Sequence, residues 1–576
     1  MRLLPWIAAA LAAFALASPA QADTPLPPPR LDKTQAIAAF LAEDKVADWV
    51  GRYERAGLVT DAEYDGTYKD WTVKVWWGPA GEIALGRVDD ASGVVEEAWT
   101  GPQVAWSMAR GHPGAFGGRR INSLPVWLGF CAVFFLGLAD LRRLWSVRNL
   151  DLLVLLALSV SLWFFNDGRI FTSVPLVYPV LVYLLGRSVW IGLRDRPART
   201  ATAVWPIWLI VAATVFLTGF RIGLNLSDSN VIDVGYASVI GAQRIASGQA
   251  PYGHFPVERG PECGEPDRDG RVVYRIQENG RCESAAEHGD TYGPVAYQAY
   301  LPGYAIVGWK GKGDDLDAAR LTSILFDVLA MVGLFLVGLR YGDRRLAVTL
   351  AFAWAAYPFT QYVSSANSND AVQPALLVFG FWLASSPWGR GSFAALASWT
   401  KFAPLAVAPL WATYPDRRPR PTLKFAGAFL IAAAVSFWVL LLEPSLWEAI
   451  RTFWHRTILN QIDRESPFSL WDWRQYHAGL PDLHLLQWVL EAALAVGAVA
   501  LAFFPRHKSP LQLAAFTAAV LIGFEIVLTH WFYLYVAWFF PFLAVAVLWE
   551  RRDGGDVAPV SSTGAEPVAV EGLEPN

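Results

Sequence analysis

Residues 202–233 read TAVWPIWLIVAATVFLTGFRIGLNLSDSNVID, and the fold turns on how this stretch is read. Residues 202–222 are predominantly apolar, with Arg221 as the one charge, and their length is close to the roughly 20 residues a helix needs to cross a bilayer. The chain then turns polar at Ser227-Asp228-Ser229-Asn230 and resumes as Val231-Ile232-Asp233-Val234-Gly235-Tyr236. That order predicts a spanning helix emerging beside an acidic segment. An amphipathic helix should follow to about Ser247, with Ile232, Tyr236, Val239, Ile240 and Ile245 on one stripe.

Apolar stretches of the same kind recur near 124–140, 150–166, 171–192, 318–339, 346–363, 370–387, 424–442, 484–504, 510–528 and 531–549. With 202–222 they make eleven expected crossings. A further stretch, 392–413, is interrupted by Pro404 and Pro409 and is expected as a broken hairpin of half-helices. Composition agrees: the 576 residues are 54% hydrophobic and 14% aromatic, with a mean hydropathy of +0.30, too apolar for an ordinary soluble domain. A formal charge of −4 points to no nucleic-acid partner.

Charge placement orients these crossings. Arg142, Arg143 and Arg148, the run Arg194–Arg199, Arg340–Arg345, Arg417–Arg420, Arg506–Lys508 and Arg551-Arg552 should all face the cytoplasm. Starting outside, eleven crossings put every one of these loops inside, provided 392–413 enters and leaves on one side. The tail 551–576, rich in Gly, Pro and acidic residues, is then an expected disordered cytoplasmic segment.

Ahead of the membrane region, residues 1–22 combine Arg2, an apolar core from Leu3 to Ala17 and Ala20-Gln21-Ala22, the pattern of a signal peptide. Residues 23–122 form a separate soluble unit. Thr34–Tyr53 reads as helix with one break, and Trp71–Trp77, Glu82–Val88 and Val94–Trp99 read as strands separated by turns. A helix followed by a short antiparallel meander resembles a PepSY-like domain, which implies binding or regulation. The fold class expected is therefore a polytopic α-helical membrane protein carrying a small α+β exported domain. Residues 123–201 would be three accessory helices and 202–550 the membrane core.

Of the three cysteines, Cys131 falls in the first span, and Cys263 and Cys282 fall in the long outer loop 225–293. A Cys263–Cys282 disulfide would suit an oxidising compartment and would add about 3 kcal/mol; two free thiols are the other reading. Past this insertion, Asp290-Thr291-Tyr292-Gly293-Pro294 leads into Tyr297–Trp309, too short and too rich in Gly and Pro to span.

Several of these stretches together resemble a known family. An acidic residue just after a span is followed by a helix ending Gly248-Gln249-Ala250-Pro251-Tyr252, and then by Tyr292-Gly293-Pro294. Further on come Ser365-Ala366-Asn367-Ser368-Asn369-Asp370, Trp399-Thr400-Lys401-Phe402-Ala403-Pro404 and Ser466-Pro467-Phe468-Ser469-Leu470-Trp471. Their order and sidedness over about 202–549 resemble the GT-C superfamily, nearest to the polyprenol-phosphate-sugar-dependent glycosyltransferases around family 87. Three extra spans and the cysteine-bounded insertion depart from the family pattern.

The resemblance implies transfer of a mannose-like hexose or a pentose from a polyprenyl-phosphate donor to an envelope glycan or glycolipid, outside a bacterial plasma membrane. Such a transfer needs a carboxylate to take the acceptor's proton and a cation or a divalent metal to steady the departing phosphate. The likeness puts the base in the first outer loop, at Asp233 or, second, Asp228; the competing reading for either is a helix N-cap. Substrate contacts are implied for Tyr236, Tyr252, Asp290, Tyr292, Asn367, Asp370, Lys401 and Arg464; for Asn367, Asn369 and Asp370 helix capping is the competing reading. Lys401 lies amid apolar residues, where a phosphate partner or an interfacial position would relieve the cost of its charge. Arg451, His455, Arg456, Arg464 and Arg474 make an unusual basic cluster in the outer loop 443–483, which a donor phosphate or pyrophosphate and anionic lipid headgroups would explain equally well. The run His530–Phe540 reads most simply as an aromatic belt, with stacking of its aromatic faces on a sugar as the other reading.

Two rivals are a transporter or flippase of lipid-linked sugars, which should show repeated halves with interrupted helices, and a non-catalytic envelope scaffold. A nucleotide-binding Gly-rich loop ending Gly-Lys-Ser/Thr, a Gly-x-Ser-x-Gly elbow and Cys-x-x-Cys spacing are all absent from the sequence.

Overall fold

The computed structural model describes residues 28–66, 69–77, 81–100, 104, 117–166, 170–195, 205–254, 274–276, 282–284, 289–309, 316–462, 466, 468–473 and 481–549. The expected signal peptide, Cys263, Arg464, Arg474 and the tail 551–576 lie outside them.

The N-terminal unit is a helical pair on a four-stranded meander. Helix α1 (Lys33–Ala42) starts at Asp32 through a reciprocal cap: Gln35 N–H donates to the Asp32 carboxylate, and Asp32 N–H donates to the Gln35 side chain. Helix α2 (Asp44–Val50) follows at once. Strands β1 (Leu58–Asp65), β2 (Asp70–Trp77), β3 (Gly81–Asp89) and β4 (Val95–Thr100) pair in sequence order, all antiparallel. Ala36, Phe40 and Val46 close over Val73, Val75, Ile83 and Val88 to form a small core. The sequence reading anticipated the broken helix and three strands. It missed β1, an acidic edge strand on which only Ala62 is buried.

The remainder is predominantly helical. The elements are α3 (Leu124–Leu138), α4 (Val147–Asn166), α5 (Ile170–Arg194), α6 (Ile207–Asp228), α7 (Asp233–Ala246), α8 (Pro294–Gln298), α9 (Leu301–Val307) and α10 (Asp317–Tyr341). Then come α11 (Arg344–Ala356), α12 (Pro358–Ala366), α13 (Val372–Trp382), α14 (Pro387–Ser398), α15 (Ala408–Ala412) and α16 (Pro419–Ser436). The last are α17 (Leu446–Phe453), α18 (His484–Phe503), α19 (Pro510–Val527) and α20 (Val536–Leu548). Seven of these, α4, α5, α6, α10, α16, α18 and α19, are long and apolar enough to cross a membrane, and α3 and α20 are shorter apolar helices. Helix α19 is enclosed on nearly every side, whereas α18 is largely exposed, as expected of a lipid-facing helix.

The basic loops gather at one end of the bundle. Ser509 bonds to Asp195, Asp416 bridges to His507, Arg340 bonds to Ser385, and Trp205 donates to the Leu136 carbonyl at 2.7 Å. The other end is tied by Arg120 N–H to Asp228, Asn230 N–H to the Ser365 carbonyl (3.1 Å) and Ser466 to His530 (2.9 Å).

Two expected crossings are built differently. The stretch read as 346–363 is α11 and α12, broken where Tyr357 meets Pro358, because proline starts a helix well but cannot continue one. The stretch read as 370–387 carries only an 11-residue helix, α13, preceded by a tight turn at Asn369–Ala371. At 1.5 Å per residue α13 covers about 16 Å, roughly half the hydrocarbon thickness. The broken segment matches its reading better. Arg390 on α14 donates to the carbonyls of Trp411 (2.8 Å) and Tyr414 (2.5 Å), holding both feet of the hairpin at the basic end.

Candidate functional site

Three short helices run from the basic end and meet at their far ends. Helices α13, α14 and α20 have 11, 12 and 13 residues, and residues at those ends touch one another. Asp370 precedes α13, Lys401 follows α14, and Tyr535 and Trp538 open α20. Lys401 Nζ lies 2.5 Å from Asp370 Oδ1, and Trp538 Nε1 donates to the same oxygen at 3.2 Å. Ser368 donates to Asp370 Oδ2 at 2.7 Å. The lysine ammonium also sits 5.2–5.3 Å from the ring centroids of Tyr292, Tyr535 and Trp538. A charged pair this deep is tolerated only with such polar and aromatic company.

Beside the pair, the side-chain amides of Asn369 and Gln373 are fully buried and have no hydrogen-bond partner among the described residues. Asn369 lies in the tight turn before α13 and Gln373 in the first turn of that helix. An unpaired buried amide costs about 1–3 kcal/mol, which a polar ligand group would recover.

The segment Asp290–Gly293 links this layer to the polar end. Tyr292 stacks near Lys401, and Val295 N–H donates to the Trp399 carbonyl at 3.0 Å. A Cβ on Gly293 would stand 2.1 Å from that same oxygen, so this position accepts only glycine. The buried carboxylate of Asp290 takes the Gly253 N–H at 2.7 Å and lies 3.4 Å from Arg456 Nε. Tyr252 donates to the Tyr292 carbonyl at 3.0 Å. Its hydroxyl is pushed well above the ordinary tyrosine range, first by burial and then by the Asp290 charge, so it stays a donor.

The expected acidic residues fall around this layer. Asp233 is exposed in the first turn of α7, where a carboxylate also favours the helix N-terminus. The start of α7 is pinned to the Asp370 turn: Ile232 N–H donates to the Ala366 carbonyl at 3.3 Å, and Gly235 packs on the Asn367 carbonyl. Asp228 ends α6, nearly two helical turns later than the apolar run suggests, and its carboxylate receives the Arg120 N–H. Asn367 stands at a left-handed position (φ +53°), donates to Ser229 (2.9 Å) and Asn230 (3.0 Å), and accepts from Asn225 (2.8 Å). Its amide is thus taken up within the fold, at the C-terminal cap of α12. Tyr236 is half-buried and meets Trp309 edge to face. Helix α7 is also buried more broadly than the single stripe expected.

Sequence reading did not foresee Gln373, Ser368 or the buried pair Arg221–Asp327. Arg221 makes a charge pair with Asp327, donates to the Ala355 carbonyl (3.2 Å) and Thr360 (3.1 Å), and shares Asp327 with Trp354. An arginine in one spanning segment and an aspartate in another were the available signal. Among the described residues no three His, Cys, Asp or Glu side chains converge as a divalent metal would require. Compared with known proteins, the chain matches no family model and no curated sequence.

Proposed function

We propose that this protein is a membrane-embedded glycosyltransferase of GT-C-like architecture, drawing a sugar from a polyprenyl-phosphate donor. The observation that carries the reading is the buried Lys401 cation, held by Asp370 within three aromatic rings and next to two unpartnered amides. That combination suits a sugar phosphate: rings for the pyranose face, amides for hydroxyl groups, and an ammonium for phosphate oxygens.

In this reading the Asp233 carboxylate takes the proton from an acceptor hydroxyl. The freed oxygen attacks the anomeric carbon, the bond from that carbon to the phosphate oxygen breaks, and polyprenyl phosphate leaves beside Lys401. The basic end of the bundle faces the cytoplasm of a bacterium, with the site and the N-terminal domain opposite it. The acceptor is then an envelope glycan or glycolipid.

Short, interrupted helices meeting around a buried charge pair also favour a second reading, a carrier of lipid-linked sugars. The two differ in bond chemistry. Purified protein in lipid nanodiscs, given radiolabelled polyprenyl-phosphate sugars and an envelope extract, should move label into a delipidated glycan. Label that stays on the polyprenyl lipid with every donor tried would reject the enzyme and favour the carrier.

A further inference from the structure

A second site lies beside the first. A cleft of about 500 Å³ is lined along one segment by Glu448, Arg451, Thr452, His455 and Arg456, and opposite them by His254 and Glu443. The opposing wall is internally satisfied, with His254 Nε2 3.0 Å from Glu443 Oε1. Among the described residues, by contrast, neither Arg451 nor His455 has a side-chain partner. The helix carrying Arg451 passes at Trp454–Leu459 into a π-helical turn, a rare irregularity that is frequent at functional sites. Here it carries His455 and Arg456 into the cleft.

The outer side of the same segment is apolar. Leu446, Trp447, Ile450 and Trp454 are 49%, 74%, 43% and 52% exposed, an interfacial pattern with two tryptophans. An exposed apolar side backed by residues that line the cleft is the pattern of a helix lying along a bilayer surface. Arg451 and His455 thus offer polar groups to an anionic headgroup, while Arg456 is held by Asp290 at the cleft's inner end.

We propose that this cleft binds the phosphate ester of a lipid, separate from the Lys401 layer. If the glycosyl-transfer reading holds, that lipid is the acceptor, since Lys401 already serves the donor phosphate. The polar segment Tyr252–Asp290–Tyr292 joins the two sites, so an acceptor anchored in the cleft can extend its sugar toward Lys401.

The test uses the full chain in phosphatidylcholine nanodiscs and titrates dodecyl phosphate, inorganic phosphate and dodecyl glucoside, read by calorimetry. Dodecyl phosphate should saturate a site that inorganic phosphate and the neutral glucoside do not fill. An Arg451→Gln, His455→Gln double variant should weaken it at least tenfold, while Asp233→Asn leaves it unchanged. Unaltered affinity in the double variant overturns the proposal, as does equal binding of dodecyl glucoside or of inorganic phosphate. Weakening by Lys401→Met in place of the double variant would put the phosphate in the other site and also overturn it. Cleft binding in a protein that transfers no sugar confirms the cleft and rejects only its acceptor role.

Discussion

Lys401 Nζ and Asp370 Oδ1 meet at 2.5 Å, although 31 positions separate them and each stands at the inner end of a helix too short to cross a bilayer. Their pairing fixes the depth of the polar layer, because it closes the inner ends of α13 and α14 on one another.

Removing one member should therefore cost more than removing both charges. Lys401→Met leaves Asp370 buried and uncompensated, with an expected loss of about 3–5 kcal/mol. Lys401→Met combined with Asp370→Asn should regain most of that stability and remain inactive. Thermal unfolding in detergent measures both; a double variant no more stable than the single would show that the two charges are not coupled.

Gly293 tests the link between the loop and the layer. Gly293→Ala drives a methyl into the Trp399 carbonyl and should destabilise by about 1–3 kcal/mol while lowering transfer. Gly219→Ala, in α6 with open space around it, should leave both unchanged. Equal behaviour of the two variants in unfolding and transfer assays would remove the argument from close packing.

Acid should loosen the N-terminal unit. Burial acts to raise the Asp90 pKa, but the Arg30, Leu31 and Trp71 N–H donors outweigh it and hold the carboxyl below the usual aspartate range. A depressed folded pKa means the stabilisation is present at neutral pH and is lost as pH falls from about 4 through the lower folded value. Hydrogen exchange of residues 31–40, corrected for intrinsic rate, should speed up below that pH and should already be fast at pH 7 in Asp90→Asn. Protection that is flat with pH and unaffected by the variant would contradict this.

Orientation is checked with introduced cysteines. Trp145→Cys, at a fully exposed position in the loop of Arg142, Arg143 and Arg148, should react with an impermeant maleimide only after cells are opened. Val94→Cys, exposed on the N-terminal sheet, should react in intact cells. The reverse pattern would invert the map and place the site on the cytoplasmic side.

Much of this architecture was legible in residue order, and the exceptions share a cause. Long apolar runs such as 318–339 and 510–528 announce themselves because lipid imposes a minimum length. The break at Tyr357-Pro358 was hidden because apolarity says nothing of where a helix stops inside a protein interior. Asp370 and Lys401 were both visible as polar residues in apolar settings. Their contact was not, since it depends on the equal lengths of two helices folded back on one another. Trp538 and Tyr535 read as a membrane belt for the same reason: only tertiary packing turns them toward Lys401. Asn369 and Gln373 stand out only once neighbouring backbone groups are shown to leave them unpaired.

The most direct test of glycosyl transfer compares a deletion strain with strains restored by wild type or by Asp233→Asn. In the deletion strain, one polyprenyl-phosphate sugar should accumulate and one envelope glycan should lose a residue. Wild type should reverse both changes, while Asp233→Asn, present at normal abundance, should reverse neither, in keeping with a loss of at least about 10²-fold on removing a general base. Restoration of the same glycan by both proteins, or a deletion that leaves both pools unchanged, would contradict the account.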